Sequence, residues 1–286
     1  MSVPESIPGV RVLLEGETGS GKTHSIRTLH NLEGIDDIFV IFTEPGMEVL
    51  ADLTHDHYHW TYVKPVASKM ESLIDKARTM NSMSWDGMQK ALQNDPNKKD
   101  YDAGVRLLEA MHKPVCAECG KEFPDVSEWT NRQVLVLDSL SGLNTAAMQL
   151  IIGGSLVRSQ PQWGAAQDTE MMLINKLCYD TNAHFVLTAH VEKMLDEING
   201  GQVVKVNALG KALAPEIPKN FSDVIYCYRV SDQFKWSTAS TGVETKARNV
   251  PISDKIEPSF KQIIQKWRSR YDVKQEAQKQ EATTQQ

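Results

Sequence analysis

The sequence predicts an α/β domain with a mostly parallel central sheet flanked by helices. Short apolar runs rich in β-branched and aromatic residues alternate with helical stretches, and a glycine-rich loop follows the first run. The runs are almost continuously apolar, which is typical of strands buried on both faces. Strands that alternate with helices indicate parallel pairing through right-handed crossovers. The strand candidates are Val10–Glu15, Ile38–Phe42, Val134–Asp138, Phe185–Ala189 and Val224–Val230. The helix candidates are Lys22–Leu32, Met70–Met80, Leu143–Ile152 and Asp168–Thr181.

Composition and charge narrow the class of protein. The chain has 286 residues, of which 41% are hydrophobic and 24% charged, so it can bury a sizeable core. A net charge of −6 excludes a globally basic nucleic-acid binder. No run reaches the roughly 18 apolar residues of a membrane span, and the first residues do not resemble a signal peptide. Four cysteines are too few for a disulfide scaffold. We therefore expect a cytoplasmic protein with no membrane partner.

A phosphate-binding loop follows the first strand candidate. Residues 16–23 read GETGSGKT, which fits the pattern G-x-x-x-x-G-K-[ST] between a strand and a helix. Glycines let backbone N–H groups surround phosphates, and the following helix N-terminus adds a favourable partial charge. Lys22 is expected at the β- and γ-phosphates of ATP, and the Thr23 hydroxyl on Mg²⁺. The predicted nucleotide-binding residues are Gly16, Glu17, Thr18, Gly19, Ser20, Gly21, Lys22 and Thr23.

Two carboxylates are candidates for the remaining chemistry. Asp138 ends the run VLVLD, where a carboxylate can hold Mg²⁺ through water, although it can also simply cap the next helix. Hydrolysis needs a group that orients or deprotonates water. In AAA+ proteins a glutamate directly follows the metal aspartate, whereas here Ser139 does. Glu44 in IFVIFTEPG is the best candidate, because a strand flanking the P-loop strand would direct it towards the γ-phosphate. The alternative is that Glu44 caps a turn.

These segments resemble the RecA-like branch of P-loop ATPases. They are most similar to the small RecA-core ATPases of bacteriophages, which include single-strand annealing proteins of the Sak type. The resemblance implies a Mg²⁺-dependent ATPase that acts on single-stranded DNA in phage recombination, annealing or replication. It also implies a homo-oligomer with an intersubunit ATP site, and a single-strand binding protein or other recombination protein as a partner. The resembling segments span about residues 10–250 and are GETGSGKT, IFTEPG, VLVLDS, FVLTAH, GKALAPEIPKNFSDVIY and TKARN.

The resemblance assigns roles to further residues. Thr188 and His190 in FVLTAH occupy the place of the residue that senses the γ-phosphate and connects it to a DNA-binding loop. A structural histidine is the alternative for His190. Lys246 and Arg248 resemble the K-x-K/R finger that a neighbouring subunit inserts, since two cations at i and i+2 on a strand point the same way. Solvated charges on an exposed strand are the alternative.

A β-hairpin is predicted over Glu192–Asn207, because Asn199-Gly200-Gly201 tolerates the positive φ of a hairpin tip. By the resemblance, this hairpin would respond to DNA. Its lysines, including Lys193 and Lys205, are mixed with acidic residues, and this differs from a strongly basic DNA loop.

A C-x-x-C-G-K knuckle begins at Cys116. Its two thiolates, Cys116 and Cys119, can bind one tetrahedral Zn²⁺, but a structural zinc site needs four ligands. His112 is near enough to be the third. The alternative is a pair of reduced, unliganded thiols. The fourth ligand stays open among a neighbouring subunit and the residues Asp125, Glu128, His55, His57 and His59. The three alternating histidines can bind metal, or they can belong to a polar connector.

The domain organisation follows from these patterns. Residues 1–256 are expected to form the RecA-like core, with a helical insertion at about 65–132 that carries the knuckle. Residues 257–271 predict a basic amphipathic helix. Its cations beside Trp267 and Tyr271 suit single-stranded DNA, while packing on the core with a solvated basic face is the alternative. Residues 272–286 are poor in apolar residues and predict a disordered tail.

Other functions stay open at this point. A partner-regulated nucleotide-binding protein would show no DNA stimulation and no loss of activity on Glu44→Gln. A nucleotide or small-molecule kinase also carries an N-terminal P-loop, but we find no arginine-rich lid segment in the sequence. A DNA-translocating motor is a further alternative, for which no helicase accessory domain is visible.

Overall fold

The computed structural model describes residues 3–64, 101–153, 158–195 and 200–271, with isolated positions between 74 and 86. These residues form one sheet in the order β3-β2-β4-β5-β1-β7-β8, and β6 pairs with β5. The β5–β6 and β7–β8 pairs are antiparallel and the other pairs are parallel. The strands are β1 (Arg11–Gly16), β2 (Asp37–Phe42), β3 (Tyr58–Tyr62), β4 (Gln133–Asp138), β5 (His184–Leu195), β6 (Gln202–Val206), β7 (Asp223–Val230) and β8 (Gln233–Ser237).

Helices cover both faces of this sheet. Successive residues of a strand point to opposite faces, so in β1 Leu13 lies in the apolar cluster that also contains residues of α2, α3 and α4, while Val12 and Leu14 lie in the cluster that contains residues of α1 and α5. The predicted α/β P-loop fold, with its mostly parallel sheet, is confirmed. The helices are α1 (Lys22–Ile26), α2 (Asp102–His112), α3 (Leu140–Ile152), α4 (Gln160–Tyr179) and α5 (residues 260–271).

All five predicted strands are present, and β5 runs well beyond the predicted Ala189 to Leu195. Two further strands, β3 and β8, were not predicted from the sequence. The interpretation of the alternating histidines as a polar connector is wrong for residues 58–62, which form the edge strand β3. Both missed strands lie at the ends of the sheet order, where polar side chains are tolerated and the apolar signal is weak. The predicted helix Lys22–Leu32 is shorter, since a 3₁₀ turn follows Ile26.

The strand order corrects one step of the argument for Glu44. The strand that precedes it, β2, does not flank β1, because β4 and β5 lie between them. The neighbours of the P-loop strand are β5 and β7. Glu44 must therefore approach the phosphate-binding loop across the ends of two other strands.

The predicted hairpin and helical insertion are both present. Strands β5 and β6 pair from Val191 with Val206 to Leu195 with Gln202. The insertion contains α2, which packs on α3. Asn199 of the predicted hairpin tip, most of the predicted helix Met70–Met80 and the predicted tail 272–286 lie outside the described residues.

The amphipathic helix α5 packs its apolar face on the core, and Phe260 and Ile263 are completely buried there. Trp267 is only 5% exposed and its ring lies 4.8 Å from that of His184 in an edge-to-face contact. Trp267 therefore cannot stack on a nucleic-acid base, as the single-stranded DNA interpretation of this helix requires. Lys261, Lys266 and Arg270 remain exposed on the opposite face. Among the described helices, none has the length and apolar character of a membrane span.

Candidate nucleotide site

The glycine-rich loop joins β1 to α1 at the carboxyl edge of the sheet. Gly16 ends β1 and Lys22 begins α1. Gly21 adopts a φ of +86°, and a Cβ atom there would lie 2.5 Å from the Phe234 ring on β8. Only glycine fits this conformation and this contact without strain. A Cβ atom at Gly16 would similarly lie 2.3 Å from the Cys227 carbonyl oxygen of β7. Neighbouring strands therefore hold both ends of the loop in place.

Lys22 lies under this loop with its ammonium group facing the loop backbone. Its Nζ donates to the carbonyl oxygens of Gly16 at 2.8 Å and Glu17 at 2.9 Å. Burial lowers the pKa of Lys22, and the nearby Cys227, Asp138 and Glu44 oppose that shift. A phosphate oxygen carries more negative charge than a carbonyl, so it would compete well for this ammonium group.

The Asp138 carboxylate accepts hydrogen bonds from hydroxyl groups on two other elements. Thr23 Oγ1 donates to Oδ2 at 2.7 Å, and Thr188 Oγ1 donates to Oδ1 at 2.5 Å. Burial raises the pKa of Asp138, while both hydrogen bonds favour its ionised form. Ser139, not Asp138, caps α3, because the Ser139 hydroxyl accepts from Ser141 N at 3.2 Å. The alternative that Asp138 is only a helix cap therefore fails. A hydroxyl and a carboxylate in contact form an oxygen donor set that fits Mg²⁺.

Glu44 reaches the same edge of the sheet from β2. Phe42 is level with Asp138 in the β2–β4 pair, and Glu44 follows two residues later. Its Oε2 lies 2.9 Å from Nε2 of His190. The hydrogen bond with His190 lowers the pKa of Glu44 to about 2 against the opposing effect of burial, and Ser141 and Ser139 also lower it. Glu44 is therefore ionised at neutral pH and can accept a hydrogen bond from water.

Thr43 and Gly142 fix the position of this carboxylate, and the sequence analysis missed both. Thr43 N donates to the Asp138 carbonyl oxygen at 2.7 Å, and Thr43 Oγ1 accepts from Ser139 N at 2.9 Å. A Cβ atom at Gly142 would lie 2.1 Å from Thr43 Cβ, so α3 can approach only because residue 142 is glycine. The sequence carries no local signal for these contacts, since they depend on the pairing of β2 with β4.

Comparison with known proteins gives the family of the chain. Residues 8–249 match a family model, AAA_24, described as an AAA domain. The chain belongs to this AAA domain family. No curated protein matches it.

Solved structures with similar folds differ widely from this AAA domain in sequence. The RadB recombinase is 14% identical, with 86% of this chain and 85% of that one covered and a TM-score of 0.36. The flagellar accessory protein FlaH from Methanocaldococcus jannaschii is 12% identical, with 80% and 77% covered and a TM-score of 0.29. An ATPase from the type III secretion system of pathogenic bacteria is 14% identical, with a TM-score of 0.38. The comparison with that ATPase covers 78% of this chain but only 53% of the ATPase, so this AAA domain spans about half its length.

The hairpin of the AAA domain contacts the phosphate-binding loop directly. Lys193 Nζ on β5 lies 2.6 Å from Oε1 of Glu17 in the loop, and both side chains are about half exposed. His190, three residues earlier on the same strand, contacts Glu44. A single strand therefore touches the candidate base just before the hairpin, through His190, and the loop from within the hairpin, through Lys193, which pairs with Val204 of β6.

The predicted finger residues lie away from this chain's own loop. Lys246 pairs with Val224 near the start of β7. The phosphate-binding loop begins at Gly16, which pairs with Cys227, three residues further along the same strand. Lys246 Nζ donates to the carbonyl oxygens of Phe221 at 2.7 Å and Lys219 at 3.3 Å. The Arg248 side chain is exposed. The AAA domain therefore does not bring Lys246 and Arg248 to its own phosphate-binding loop.

The knuckle of the AAA domain meets two of the three alternating histidines. Ligand atoms of His55, His59, Cys116 and Cys119 all lie within 4.8 Å of one another. His112, predicted as the third zinc ligand, lies outside this group because its Nδ1 contacts the carboxylate of Asp125. The two histidines precede the cysteines by 60 and 61 residues, so sequence proximity wrongly favoured His112.

Proposed function

We propose that this AAA domain is a Mg²⁺-dependent, RecA-like ATPase that acts on single-stranded DNA in phage recombination, annealing or replication, in the host cytoplasm. The observation that carries the ATPase proposal is the meeting of three elements at one edge of the sheet. Asp138 accepts from the Thr23 and Thr188 hydroxyls, and Glu44 reaches the same edge beside His190. A P-loop, a metal-binding aspartate and an ionised glutamate are the groups that nucleotide hydrolysis needs.

Each residue of the site has a role in this proposal. The loop residues 16–23 bind the phosphates through backbone N–H groups, with Lys22 at the β- and γ-phosphate oxygens. Thr23 and Asp138 hold Mg²⁺, which neutralises the charge that develops on the phosphates when it is bound. The Glu44 carboxylate orients the attacking water and accepts its proton. Its low pKa makes it a weak base, so we expect orientation of the water to be the larger part of its effect.

The DNA part of the proposal rests on the sequence resemblance and on the position of β5. The strand contacts Glu44 through His190, just before the β5–β6 hairpin begins, and Glu17 through Lys193, inside the hairpin. A change at the nucleotide phosphates can therefore shift the hairpin, and a strand of DNA bound there can shift Glu44. By reciprocity, each ligand would change the affinity for the other by the same factor.

The intersubunit site is part of the same proposal. Lys246 and Arg248 of one subunit would contact the γ-phosphate bound to the P-loop of its neighbour in a homo-oligomer. Their position far from their own P-loop supports this arrangement, since it leaves the exposed Arg248 side chain available to another chain. A single-strand binding protein or another recombination protein is the expected further partner.

The first experiment is ATP hydrolysis by the purified full chain at matched low salt, with and without single-stranded DNA. We expect strong stimulation by DNA, with Lys22→Ala as the control for contaminating ATPases. Hydrolysis that DNA does not change would contradict the DNA part and favour a partner-regulated ATPase. Absence of Mg²⁺-dependent hydrolysis under both conditions would contradict the ATPase proposal itself.

A further inference from the structure

We propose that His55, His59, Cys116 and Cys119 bind one structural Zn²⁺ that fastens the knuckle to the edge of the sheet. The site uses two nitrogen and two sulfur ligands, a set that zinc prefers in tetrahedral geometry. It does not depend on the proposed ATPase activity, because it lies at the β3 end of the sheet while the P-loop follows β1.

The spacing of the four ligand atoms matches the size of a zinc ion. Cys119 Sγ lies 3.5 Å from His59 Nδ1, and Cys116 Sγ lies 3.9 Å from His55 Nδ1. With Zn–N and Zn–S bonds of about 2.0 and 2.3 Å, tetrahedral ligands are separated by about 3.3–3.8 Å. All four atoms lie within 4.8 Å of one another, so shifts of about 1 Å or less would bring them to one common ion.

The outer nitrogen of each histidine faces a carboxylate. Nε2 of His55 lies 2.9 Å from Oε2 of Glu118. Nε2 of His59 lies 3.4 Å from Oδ1 of Asp37, and Lys121 Nζ, which donates to the same carboxylate oxygen at 2.6 Å, also lies 3.4 Å from this Nε2. A carboxylate at one ring nitrogen holds the proton there and leaves the other nitrogen free to bind metal. At both rings Nδ1 is the nitrogen that faces a thiol, and at His55 the Glu118 carboxylate favours the tautomer that a carboxylate–histidine–zinc site uses.

The backbone of the knuckle directs its two thiols to the same side. Gly120 adopts a φ of +72°, and its N–H donates to the Cys116 carbonyl oxygen at 3.0 Å. Cys116 N donates to the Lys121 carbonyl oxygen at 2.9 Å, which closes the turn. Because this turn already exists, zinc binding does not have to order the cysteine half of the site.

The position of the site indicates what the metal does. Ala117 N in the knuckle donates to the Trp60 carbonyl oxygen of β3 at 2.8 Å, so the knuckle covers the open edge of the sheet. Four protein ligands leave no open coordination position for a substrate. The zinc is therefore structural and joins a covering segment to an edge strand that would otherwise expose unpaired backbone groups.

Metal content of the full chain, purified in reducing buffer without a histidine tag, tests this proposal. We expect about one Zn²⁺ per chain, and below about 0.2 in Cys119→Ser and in His55→Ala. Two matched controls should keep the metal. His57→Ala removes the histidine between the two ligands, and His112→Ala removes the histidine nearest the knuckle in sequence. Circular dichroism should show that each variant is folded.

Co²⁺ is the second probe. Wild-type chain reconstituted with Co²⁺ should show the visible bands of a tetrahedral site and a thiolate charge-transfer band, and Zn²⁺ should abolish both. Asp37→Asn should weaken Zn²⁺ binding by about 10- to 100-fold, because it weakens the outer contacts that His59 and Lys121 make with this carboxylate while all four ligands stay in place.

Three results would overturn the proposal. The first is a wild-type chain that holds no Zn²⁺ after incubation with excess metal and desalting. The second is loss of metal in His112→Ala as complete as in His55→Ala. The third is octahedral Co²⁺ spectra without a charge-transfer band. The ATPase proposal is tested separately, because Glu44→Gln should lose hydrolysis while keeping its zinc.

Discussion

The Glu44 carboxylate and the His190 imidazole meet at 2.9 Å although their strands, β2 and β5, are not neighbours. The strand between them is β4, which ends at Asp138. The contact therefore crosses the end of the strand that carries Asp138. In the proposed mechanism, a movement of His190 along β5 would shift Glu44 and the water that it orients.

Glu44→Gln should lower ATP hydrolysis by about 100-fold or more, because the amide keeps the shape of the side chain but cannot accept a proton. Nucleotide binding, measured with a fluorescent ATP analogue, should stay within about twofold of the wild type. Glu48→Gln is the matched control, since Glu48 is exposed and lies four residues further on. Equal rates of ATP hydrolysis by the two variants would show that Glu44 has no role in hydrolysis.

Arg248→Ala should bind nucleotide normally and lose hydrolysis, whereas Lys255→Ala should keep both, because Lys255 is an exposed cation nearby in the sequence. If the finger acts between subunits, mixing Arg248→Ala chains with Glu44→Gln chains should restore activity. Some interfaces in the mixture then combine an intact Glu44 with an intact Arg248 from different chains. A mixture as inactive as its two components would contradict the intersubunit finger.

The contact between Lys193 and Glu17 should affect the coupling of DNA binding to ATP hydrolysis rather than the stability of the folded protein. An exposed ion pair contributes about 1 kcal/mol at most, so Lys193→Ala should leave the melting temperature almost unchanged. We expect the stimulation of hydrolysis by single-stranded DNA to fall about fivefold while hydrolysis without DNA is retained. Lys205→Ala on β6 is the comparison. A loss of the same size there would indicate that both lysines act by contacting DNA and that the Glu17 contact is incidental.

A buried carboxylate on α4 should make stability depend on pH. Glu170 is completely buried, and burial raises its pKa from 4.5 to about 8 against the smaller opposing effect of the nearby Leu209 backbone. Neither of its carboxylate oxygens has a hydrogen-bond partner among the described residues. In the unfolded chain Glu170 ionises near its ordinary pKa. Glu170 therefore has no effect on the free energy of unfolding below about pH 4.5, and it lowers that free energy increasingly as the pH rises towards about 8.

Glu170→Gln should remove this effect and stabilise the protein by on the order of 3 kcal/mol at pH 7. Thermal unfolding of variant and wild type should coincide near pH 4.5 and diverge up to about pH 8. Asp168→Asn, an exposed position on the same helix, should show no such divergence. A stability difference that is constant over this pH range would show that Glu170 is not the titrating group.

The sequence was sufficient for features that lie within one segment. Each of three features has a pattern in its own segment: the P-loop, the strand that ends at Asp138 and the hairpin. Buried strands require runs of apolar residues, and turns require particular residues such as glycine, so both can be recognised locally. Glu44 could be nominated from its position after an apolar run. The reason given for it was nevertheless incorrect, since the order of strands in the sheet is not written in any one segment.

Features that depend on pairs of distant segments could not be predicted. Thr43 meets Gly142 only because β2 pairs with β4, and His59 meets Cys119 only because β3 lies at the edge that the knuckle covers. The edge strand itself is half polar and so lacks the apolar run that marks the inner strands. Physical proximity in these cases follows from topology, which the pattern of hydrophobic residues constrains only weakly.

The first strand of the chain lies deep inside the sheet order, with a consequence for how the protein is made. Strand β1 leaves the ribosome early, but its two neighbours β5 and β7 begin more than 170 residues later. At ordinary translation speeds the P-loop strand therefore waits about 10 to 30 s for a partner. During that interval nucleotide cannot help the chain to fold, because the strands that hold the ends of the loop have not yet been synthesised. Nascent chains of this protein are thus expected to need protection of an unpaired apolar strand until β5 and β7 have been synthesised.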